Sequence, residues 1–321
     1  MGERWQAHRT AHRTGRPDHD TRGAHVQGEA QVSASRCGHG TIPTRKADTF
    51  MDVLVILPTF NEAENIGNVL PRIRAALPRA TVLVVDDGSP DGTAELAESV
   101  GRQLGGIIVL RRDEKSGLGS AYRAGFRWGL LQGFDVCVEM DADLSHRPEA
   151  LPELVSPLAD GFELAIGSRY IPGASIPNWS WHRRMLSKAG NVYASGLLGL
   201  HVSDSTAGFR AYGASVLERI DLDAIRAEGY GFQIEMTYAA RRAGAAIAEV
   251  PIQFVDRVEG ESKMSTAIVV EALALVTTWG VRRLFGLGGV TSRTGTEPGM
   301  SDRTGVGSHA GGSRTVPSGL A

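Results

Sequence analysis

Short apolar runs alternate along this chain with segments of helical periodicity, and this alternation constrains the fold more than any other feature. Five runs are unbroken and of strand length: Val53 to Leu57, Val82 to Val85, Ile107 to Leu110, Val136 to Met140 and Leu164 to Ile166. Such runs are typical of strands that are buried on both faces of a parallel sheet. The pattern therefore indicates an α/β domain.

Four segments between these runs carry apolar residues at helical spacing: Ala63 to Leu77, Gly92 to Leu104, Ser120 to Leu131 and Glu149 to Leu158. The regions of Asp91 and Ser116 offer helix N-caps, and Pro148 stands where a first helical turn accepts proline. The repeat predicts a mostly parallel sheet flanked by helices. Ligands bind such sheets beyond the carboxyl ends of the strands, so the polar residues after each strand are the candidates for function.

Composition divides the 321 residues into three parts. Residues 1–50 and 287–321 lack apolar runs that could form a core, and we expect both to be disordered. Residues 51–286 are then a single domain of ordinary size. No secretory signal peptide is expected, because no apolar run follows the early basic residues. Two distant cysteines, Cys37 and Cys137, fit a reducing cytoplasm, and a net charge of -2 predicts no general attraction to nucleic acid.

Two aspartates one residue apart follow the fourth apolar run, in Asp141-Ala142-Asp143. Such a pair is costly to hold at a strand end unless a cation neutralises it. Carboxylate oxygens suit Mg²⁺ or Mn²⁺, and a pyrophosphate would complete the coordination sphere. The alternative is a solvated loop pair, which the polar motifs at two other strand ends make less attractive. We therefore expect a metal site here.

Polar motifs also follow the first and second runs. Asp87 is placed to accept hydrogen bonds from a base or ribose, although Asp86 to Ser89 also has the composition of a plain turn. Pro58 to Glu62 is suited to end a strand and enter a helix with Asn61 as cap, and it also suits a binding site. Lys115 to Gly119 is either a phosphate-binding glycine loop or a turn with a helix cap, and both interpretations stay open.

The order of these motifs resembles that of the inverting family 2 glycosyltransferases, and within them the dolichol- or polyprenol-phosphate mannosyltransferases. The resemblance covers nearly all of residues 51–285 and implies the nucleotide-sugar-binding fold called GT-A. It is carried by seven segments: Leu57 to Glu62, Val85 to Thr93, Gly117 to Gly119, Met140 to His146, Gly167 to Tyr170, Ser205 to Arg210 and Gly229 to Gln233.

The resemblance also implies roles for individual residues. The donor nucleoside would be held by Pro58, Phe60, Glu62, Val85 and Asp87, with Phe60 where relatives often have tyrosine. The metal and diphosphate would be held by Asp141, Ala142, Asp143 and Ser145, with Ser145 where relatives commonly have glutamine. Phosphates of the donor or acceptor would contact Arg169, Arg257 and Lys263. Taken singly, each of these basic residues is explained more simply as a solvated surface charge.

The expected chemistry follows from the charges involved. Departure of a nucleoside diphosphate develops negative charge, which a metal at Asp141 and Asp143 would stabilise as a Lewis acid. A phosphate monoester, with a second pKa of about 6, attacks without a base but needs cations to orient it. Direct attack inverts the anomeric centre. With this chemistry, the resemblance implies transfer of mannose from GDP-mannose to a polyprenyl phosphate, with Arg169 among the groups that orient the phosphate.

A polyprenyl acceptor must be met at a membrane. The most apolar segment, Met264 to Val281, contains Glu271 and several hydroxyl residues and is a poor spanning helix. We expect a peripheral protein at the cytoplasmic face, alone or with a membrane-protein partner. An interfacial cluster is predicted at Trp179, Trp181, His182, Arg183, Arg184 and Lys188. The helix within Lys263 to Phe285 either packs on the core or lies at the membrane, with Trp279, Arg282 and Arg283 at the headgroups.

Three other functions compete with this prediction. The nearest alternative is a polyprenyl-phosphate transferase that uses UDP-glucose or another nucleotide sugar, because donor choice depends on a few pocket contacts. A sugar-nucleotide nucleotidyltransferase would share the fold, but such enzymes open with a glycine-rich segment rather than Pro58-Thr59-Phe60-Asn61-Glu62. A binding subunit without activity is disfavoured because both metal aspartates are present.

Overall fold

The computed structural model describes residues 33–34, 51–255 and 266–285, with backbone alone for 33–34 and 266–271. Eight strands form one sheet in the order β1-β8-β6-β7-β5-β2-β3-β4. The strands are β1 (Ser33–Ala34), β2 (Val53–Thr59), β3 (Thr81–Asp86), β4 (Ile107–Arg111), β5 (Val136–Glu139), β6 (Leu164–Ser168), β7 (Arg210–Gly213) and β8 (Ile247–Pro251).

Helices cover both faces of this sheet. They are α1 (Ala63–Ala76), α2 (Thr93–Leu104), α3 (Leu118–Gln132), α4 (Leu151–Ala159), α5 (Trp181–Leu198), α6 (Ala214–Arg219), α7 (Gly229–Arg242) and α8 (Thr266–Leu284), with a short 3₁₀ turn at Pro148–Ala150 before α4. The five predicted strands and four predicted helices are all present, with ends that differ by one or two residues. The predicted α/β class with flanking helices is confirmed.

The sheet is mostly parallel, as the alternation predicts, but two strands reverse direction. Strands β5, β2, β3 and β4 are parallel neighbours, and β6 is parallel to β8. Strand β7 runs antiparallel to both β5 and β6, and β1 runs antiparallel to β8. Sequence periodicity missed β7 because its four residues, Arg-Ala-Tyr-Gly, are too short and too polar to read as a buried strand.

The burial predicted for strand β4 was wrong. Its apolar run predicted a strand buried on both faces. It is the edge strand of the sheet, and none of its five residues is fully buried. Ile108 is 42% exposed. An edge strand has a neighbour on one side only, so burial depends on sheet order, which the apolar run does not encode.

The core lies in two layers, one on each face of the sheet. Along β2, Leu54 and Ile56 pack into the layer beneath α3 and α7, while Val53, Val55 and Leu57 pack into the layer beneath α1 and α4. This alternation is the period of two that a strand imposes. Helix α3 approaches the sheet closely at Gly125 and Gly129, where an added Cβ would lie 2.6 Å from Ile56 and 2.7 Å from Cys137.

Among the described residues, no helix combines the length and apolarity needed to cross a membrane.

Candidate active site

The loops after β2 and β3 are tied together at the carboxyl edge of the sheet. Thr59 donates its hydroxyl to Asp86 at 2.9 Å, and the Asn61 backbone N–H donates to the Ser89 hydroxyl at 3.0 Å. Ser89 in turn donates its N–H and hydroxyl to Asp86, at 2.9 and 2.6 Å. The buried Asp86 therefore organises the two loops, and its neighbour Asp87 is left to face the cleft.

The entry into α1 differs from the predicted cap. Asn61 has a left-handed backbone, with a φ of 58°, and the cap residue is Glu62, which makes no side-chain capping bond. The first helical N–H groups are satisfied from the neighbouring loop instead. Ala63 N–H donates to Asp91 at 3.1 Å, and Glu62 N–H donates to the Thr93 hydroxyl at 2.9 Å. Asparagine suits position 61 because it tolerates the left-handed region.

Asp87 is buried against basic neighbours. Its Oδ1 lies 3.2 Å from Arg112 Nη1, and its Oδ2 accepts the Ser116 N–H at 3.3 Å. Burial raises the pKa of Asp87, and the charge of Arg112 opposes that shift. Nearby, the Lys115 ammonium lies 4.1 Å from the centre of the Phe60 ring. Arg112 is a residue that motif reading missed, because it lies in the charged run Arg111 to Lys115, which has the composition of a solvated loop.

The other residues assigned to the nucleoside are less alike in their surroundings. Pro58 and Glu62 are half-buried at the cleft, and the Glu62 carboxylate accepts the Asn65 side-chain N–H at 2.8 Å. Val85 is fully buried, and its side chain packs into the core layer beneath α3. The structure thus brings Phe60, Glu62 and Asp87 to one edge and turns the Val85 side chain inward.

The glycine segment before α3 has a structural explanation. Gly119 donates its N–H to the Glu228 carboxylate at 2.7 Å, so a carboxylate already occupies this helix N-terminus. A Cβ at Gly117 would lie 2.5 Å from that carboxylate, and one at Gly119 would lie 2.8 Å from the Phe232 ring. The glycines therefore allow α7 to approach α3 closely, which favours the interpretation as a turn and helix start.

Asp141 and Asp143 stand directly beyond β5 and differ in exposure. The Asp141 side chain is 31% exposed, and its Oδ1 accepts the Tyr122 hydroxyl at 3.4 Å. Its backbone N–H donates to His146 Nδ1 at 3.2 Å. Asp143 is buried and accepts both the backbone N–H of Ser145, at 3.0 Å, and the Ser145 hydroxyl. The Asp141 carboxylate is therefore partly open to solvent, whereas the Asp143 carboxylate is buried and held by Ser145.

The donor set at this position suits a hard divalent cation. Two carboxylates project beyond a strand end, and oxygen is the ligand that Mg²⁺ and Mn²⁺ prefer. Within residues 51–255 and the described part of α8, no group of three or more His, Cys, Asp and Glu side chains clusters with metal-binding geometry. Water or diphosphate oxygens could fill the coordination positions that the two carboxylates leave. Ser145, assigned to the metal, directs its hydroxyl to Asp143, and Ala142 is buried in the core.

Arg169 is not the solvated surface charge that an isolated arginine in the sequence suggests. It follows β6 directly and is only 8% exposed. Its Nε and Nη2 each donate to the fully buried Asp204 carboxylate at 2.7 Å, and Nη2 also donates to Thr206 at 2.7 Å. Burial disfavours its charge, but Asp204 outweighs that effect and raises the pKa of Arg169. Asp204 lies 35 residues away along the chain, and no local signal links the two.

One aromatic side chain joins Arg169 to the aspartate pair. The Phe254 ring lies 5.5 Å from the Arg169 guanidinium and 5.7 Å from the His146 ring. His146 in turn accepts the Asp141 N–H. Phe254 also packs edge-on against Trp179, at 5.8 Å. Phe254, just after β8, therefore connects the two parts of the site, and sequence reasoning assigned this residue no role.

A cavity of about 300 Å³ opens next to Arg169, between α5 and α8. Its polar end carries Arg169, Arg183 and Thr206, and its walls are largely apolar, with Leu186, Leu273 and Val276 among them. Arg183 lies 4.1 Å from the centre of the Trp179 ring. A charged end and an apolar body are the chemistry expected of a site for an amphiphile.

The remaining predictions fall on α8 and the segment before it. Arg257 and Lys263 lie outside the described residues, so their roles stay predictions. Trp279 packs against the core layer beneath α3, and Arg283 donates to the Leu197 carbonyl oxygen at 3.0 Å. These contacts favour a packing role for the end of α8. In the cluster around α5, Trp179 is buried, whereas Trp181 is 76% exposed.

The mostly parallel sheet, with carboxylates beyond the ends of β3 and β5, has the fold of the GT-A glycosyltransferases. The chain belongs to glycosyl transferase family 2, whose sequence model matches residues 54–221.

Curated relatives cover almost the whole domain. The chain is 53% identical over 231 residues to an undecaprenyl-phosphate mannosyltransferase of Micrococcus luteus, which covers 72% of this chain and 95% of the relative. It is 46% identical over 258 residues to a polyprenol monophosphomannose synthase of Mycolicibacterium smegmatis, which covers 80% of this chain and 95% of that protein. The predicted family resemblance is confirmed.

Solved structures with the same fold are more distant in sequence. A glucosyl-3-phosphoglycerate synthase from Mycobacterium tuberculosis, in complex with Mn²⁺, UDP-glucose and phosphoglyceric acid, is 20% identical with a TM-score of 0.53 and covers 72% of this chain and 80% of its own. A mannosyl-3-phosphoglycerate synthase from Rubrobacter xylanophilus is 20% identical with a TM-score of 0.54 and covers 78% of this chain and 79% of its own. At this identity the similarity establishes the fold.

Proposed function

We propose that this protein transfers mannose from GDP-mannose to a polyprenyl monophosphate, with inversion at the anomeric carbon and with a divalent cation. The observation that carries the proposal is the amphiphilic cavity, whose charged end at Arg169 is joined through Phe254 to the aspartate pair. A donor diphosphate and a lipid phosphate therefore have adjacent sites of suitable charge.

The donor site lies at the edge formed by β2, β3 and β5. Asp141 and Asp143 would hold Mg²⁺ or Mn²⁺, which supplies Lewis acidity to the departing diphosphate when bound. Asp87, with Arg112 behind it, presents acceptor oxygens suited to a base or ribose. Phe60 and Lys115 stand beside it as a stacking face and a cation. These groups bind and orient the donor at the position of attack.

The acceptor site needs cations rather than a base. A phosphate monoester has a second pKa of about 6, so its oxygens are already nucleophilic at neutral pH. Arg169 presents a guanidinium fixed by Asp204, and Arg183 stands at the same end of the cavity. Fixed cations hold the phosphate in line with the sugar and replace its water shell. The apolar walls accept the first isoprene units.

The identity of the sugar rests on the relatives. Both curated relatives carry names for mannosyl transfer to a polyprenyl phosphate, and they share 46% and 53% of aligned residues with this chain. The pocket contacts do not by themselves separate GDP-mannose from UDP-glucose. The choice between these two donors is therefore tested directly by comparing the rates of transfer from each.

An exposed face of α5 suggests how the acceptor is reached. Of its 18 residues only Asn191, Ala194 and Leu198 are buried. Large apolar side chains are exposed along the rest of the helix, at Trp181, Met185, Leu186, Val192 and Tyr193. The basic Arg184 and Lys188 are exposed among them. We propose that this face lies on the cytoplasmic surface of an anionic membrane, because apolar and basic groups together favour that interface.

The direct test uses purified full-length protein, Mg²⁺ or Mn²⁺, and labelled GDP-mannose or UDP-glucose with a polyprenyl phosphate. We expect a lipid-linked, acid-labile product from GDP-mannose, dependent on the cation and absent with EDTA. A product formed faster from UDP-glucose would reassign the donor. A product that forms on a sugar hydroxyl but not on the lipid phosphate would reject the acceptor assignment.

A further inference from the structure

Four buried polar atoms near the aspartate pair make no hydrogen bond of good geometry with the described residues, although the Gln233 side chain is close enough to Glu139 to interact with it. Two are the amide nitrogen and oxygen of the Gln233 side chain, on α7. The other two are the carboxyl oxygens of Glu139, at the end of β5. Gln233 is 2% exposed and Glu139 is fully buried. Leaving such groups unpaired is costly, so native proteins rarely retain them without a functional reason.

The usual partner for Glu139 is committed elsewhere. Arg210 stands opposite Glu139 in the β5–β7 pairing. Its Nε donates to the Ala207 carbonyl at 2.7 Å, its Nη2 to the Ser205 carbonyl at 2.7 Å, and its Nη1 to the Gln233 carbonyl at 2.8 Å. Arg210 therefore fixes the backbone of Gln233 and leaves the Gln233 carboxamide next to Glu139.

The Gln233 carboxamide and the Asp141 carboxylate face the same space beside Gly208. A Cβ placed on Gly208 would stand 3.6 Å from His146 Cε1, 3.8 Å from Gln233 Nε2 and 3.9 Å from Asp141 Oδ2. A carboxamide nitrogen carries two hydrogens and can donate to two carboxylates. Asp141 and Glu139 are the two acidic side chains near it.

A second donor reaches Asp141 from α3. The Tyr122 hydroxyl is 3.4 Å from Asp141 Oδ1, and the Tyr122 ring stacks on Phe232 at 5.9 Å. Phe232 precedes Gln233, so this contact locks the first turn of α7 to α3.

We propose that Gln233 is a positioning residue that, together with the Tyr122 hydroxyl, orients the Asp141 carboxylate for the cation and its diphosphate. This inference rests on the proposed cation role of Asp141. In proteins the carboxylates that bind metals are themselves held by outer donors, and removal of such a donor lowers metal affinity by about 10- to 100-fold. The long Tyr122 bond and the Gln233 amide, which lacks a hydrogen bond of good geometry, are the geometry of a site that tightens when its ligand binds.

The experiment measures Mn²⁺ binding to the full-length protein in the presence of GDP, by the electron paramagnetic resonance signal of free Mn²⁺, and stability by urea unfolding. Gln233→Met preserves the side-chain length and removes both polar atoms. We expect Mn²⁺ affinity to fall by about tenfold or more, while stability changes little because Gln233 makes no side-chain hydrogen bond of good geometry that the change could break. Tyr122→Phe should lower Mn²⁺ affinity in the same direction and provides a second variant.

Asn191→Leu is the matched control. Asn191 is a buried amide whose groups are all paired: it donates to the Ser187 carbonyl at 3.1 Å and accepts the Ser205 N–H at 2.7 Å. Its replacement should lower stability and leave Mn²⁺ affinity intact.

Three results would overturn the inference. Unchanged Mn²⁺ affinity in both Gln233→Met and Tyr122→Phe would reject it while leaving the proposed function in place. A loss of stability in Gln233→Met, as in the control, with Tyr122→Phe normal in affinity, would make Gln233 a structural residue. Failure of the unmodified protein to bind Mn²⁺ with GDP would reject the cation role of Asp141, and the inference with it.

Discussion

Replacement of Arg169 by alanine should damage stability as well as turnover, because the partner of Arg169 is buried. Asp204 is fully buried and accepts three hydrogen bonds from Arg169: two from the guanidinium at 2.7 Å and one from the backbone N–H at 3.0 Å. Alanine removes the two charged donors and leaves the carboxylate in place. Breaking a buried ion pair in this way costs about 3–5 kcal/mol.

That cost is large against the stability of a domain of this size. Domains are stable by about 5–15 kcal/mol, so Arg169→Ala should shift the urea midpoint clearly. The double variant Arg169→Met with Asp204→Leu removes both charges, and it should lose less than the two single changes added together. Arg184→Ala is the control, since Arg184 is exposed and a surface change should stay within about 0.5 kcal/mol.

The pH dependence gives an independent check of the same reasoning. Burial acts to raise the pKa of Asp204, but Arg169 outweighs it and the pKa is lowered. In the unmodified protein this carboxylate therefore contributes stability above its unfolded pKa, and that contribution is lost as pH falls through the folded pKa. Without the Arg169 guanidinium, burial is opposed by weaker effects, from the backbone N–H of residue 169 and from Arg210, so we expect the pKa to rise and the variant to lose stability as pH rises.

The difference in unfolding free energy between the two proteins should consequently grow from acidic to neutral pH. Urea titrations at several pH values measure it. A loss of unfolding free energy below about 1 kcal/mol at neutral pH, or a loss that does not depend on pH, would refute the reasoning from a buried ion pair. Arg169 would then behave as a solvated surface residue.

Four further predictions use other parts of the molecule. Asp141→Asn should cut turnover by at least about 100-fold with the fold intact by circular dichroism; near-normal turnover would remove the metal role. Burial raises the pKa of Glu139 to about 8, so ionisation of this residue should destabilise the metal-free folded protein between pH 5 and pH 8. Glu139→Gln should therefore gain stability relative to the unmodified protein over this range, by at most about 1.4 kcal/mol per pH unit. A stability difference between the two proteins that does not change with pH would contradict this. Met185→Glu with Val192→Glu should weaken sedimentation with anionic liposomes but leave GDP binding unchanged; equal sedimentation would move the membrane face elsewhere. A chain trimmed to residues 51–286 should fold and keep transfer activity; an insoluble product would show that an end packs on the domain.

Local sequence determined the secondary-structure elements and the strand ends that carry the polar residues of the site. Period-two and period-3.6 patterns report which faces of a strand or helix are buried, so β2, β3 and α1 were predictable from short windows. The aspartate pair was predictable for the same reason, because it directly follows an apolar run. Sheet order was not encoded in these windows, and the exposure of β4 and the reversed strand β7 depend on it.

Partners brought together across the fold were decided only by the tertiary structure. Asp204 meets Arg169 from 35 residues away, and Glu228 caps α3 from 109 residues away. Neither has a local pattern, because a charged residue looks the same in sequence whether it is solvated or paired. Burial is what distinguishes the two states, since the cost of desolvation makes a partner necessary, and burial at these positions is a property of the packed chain.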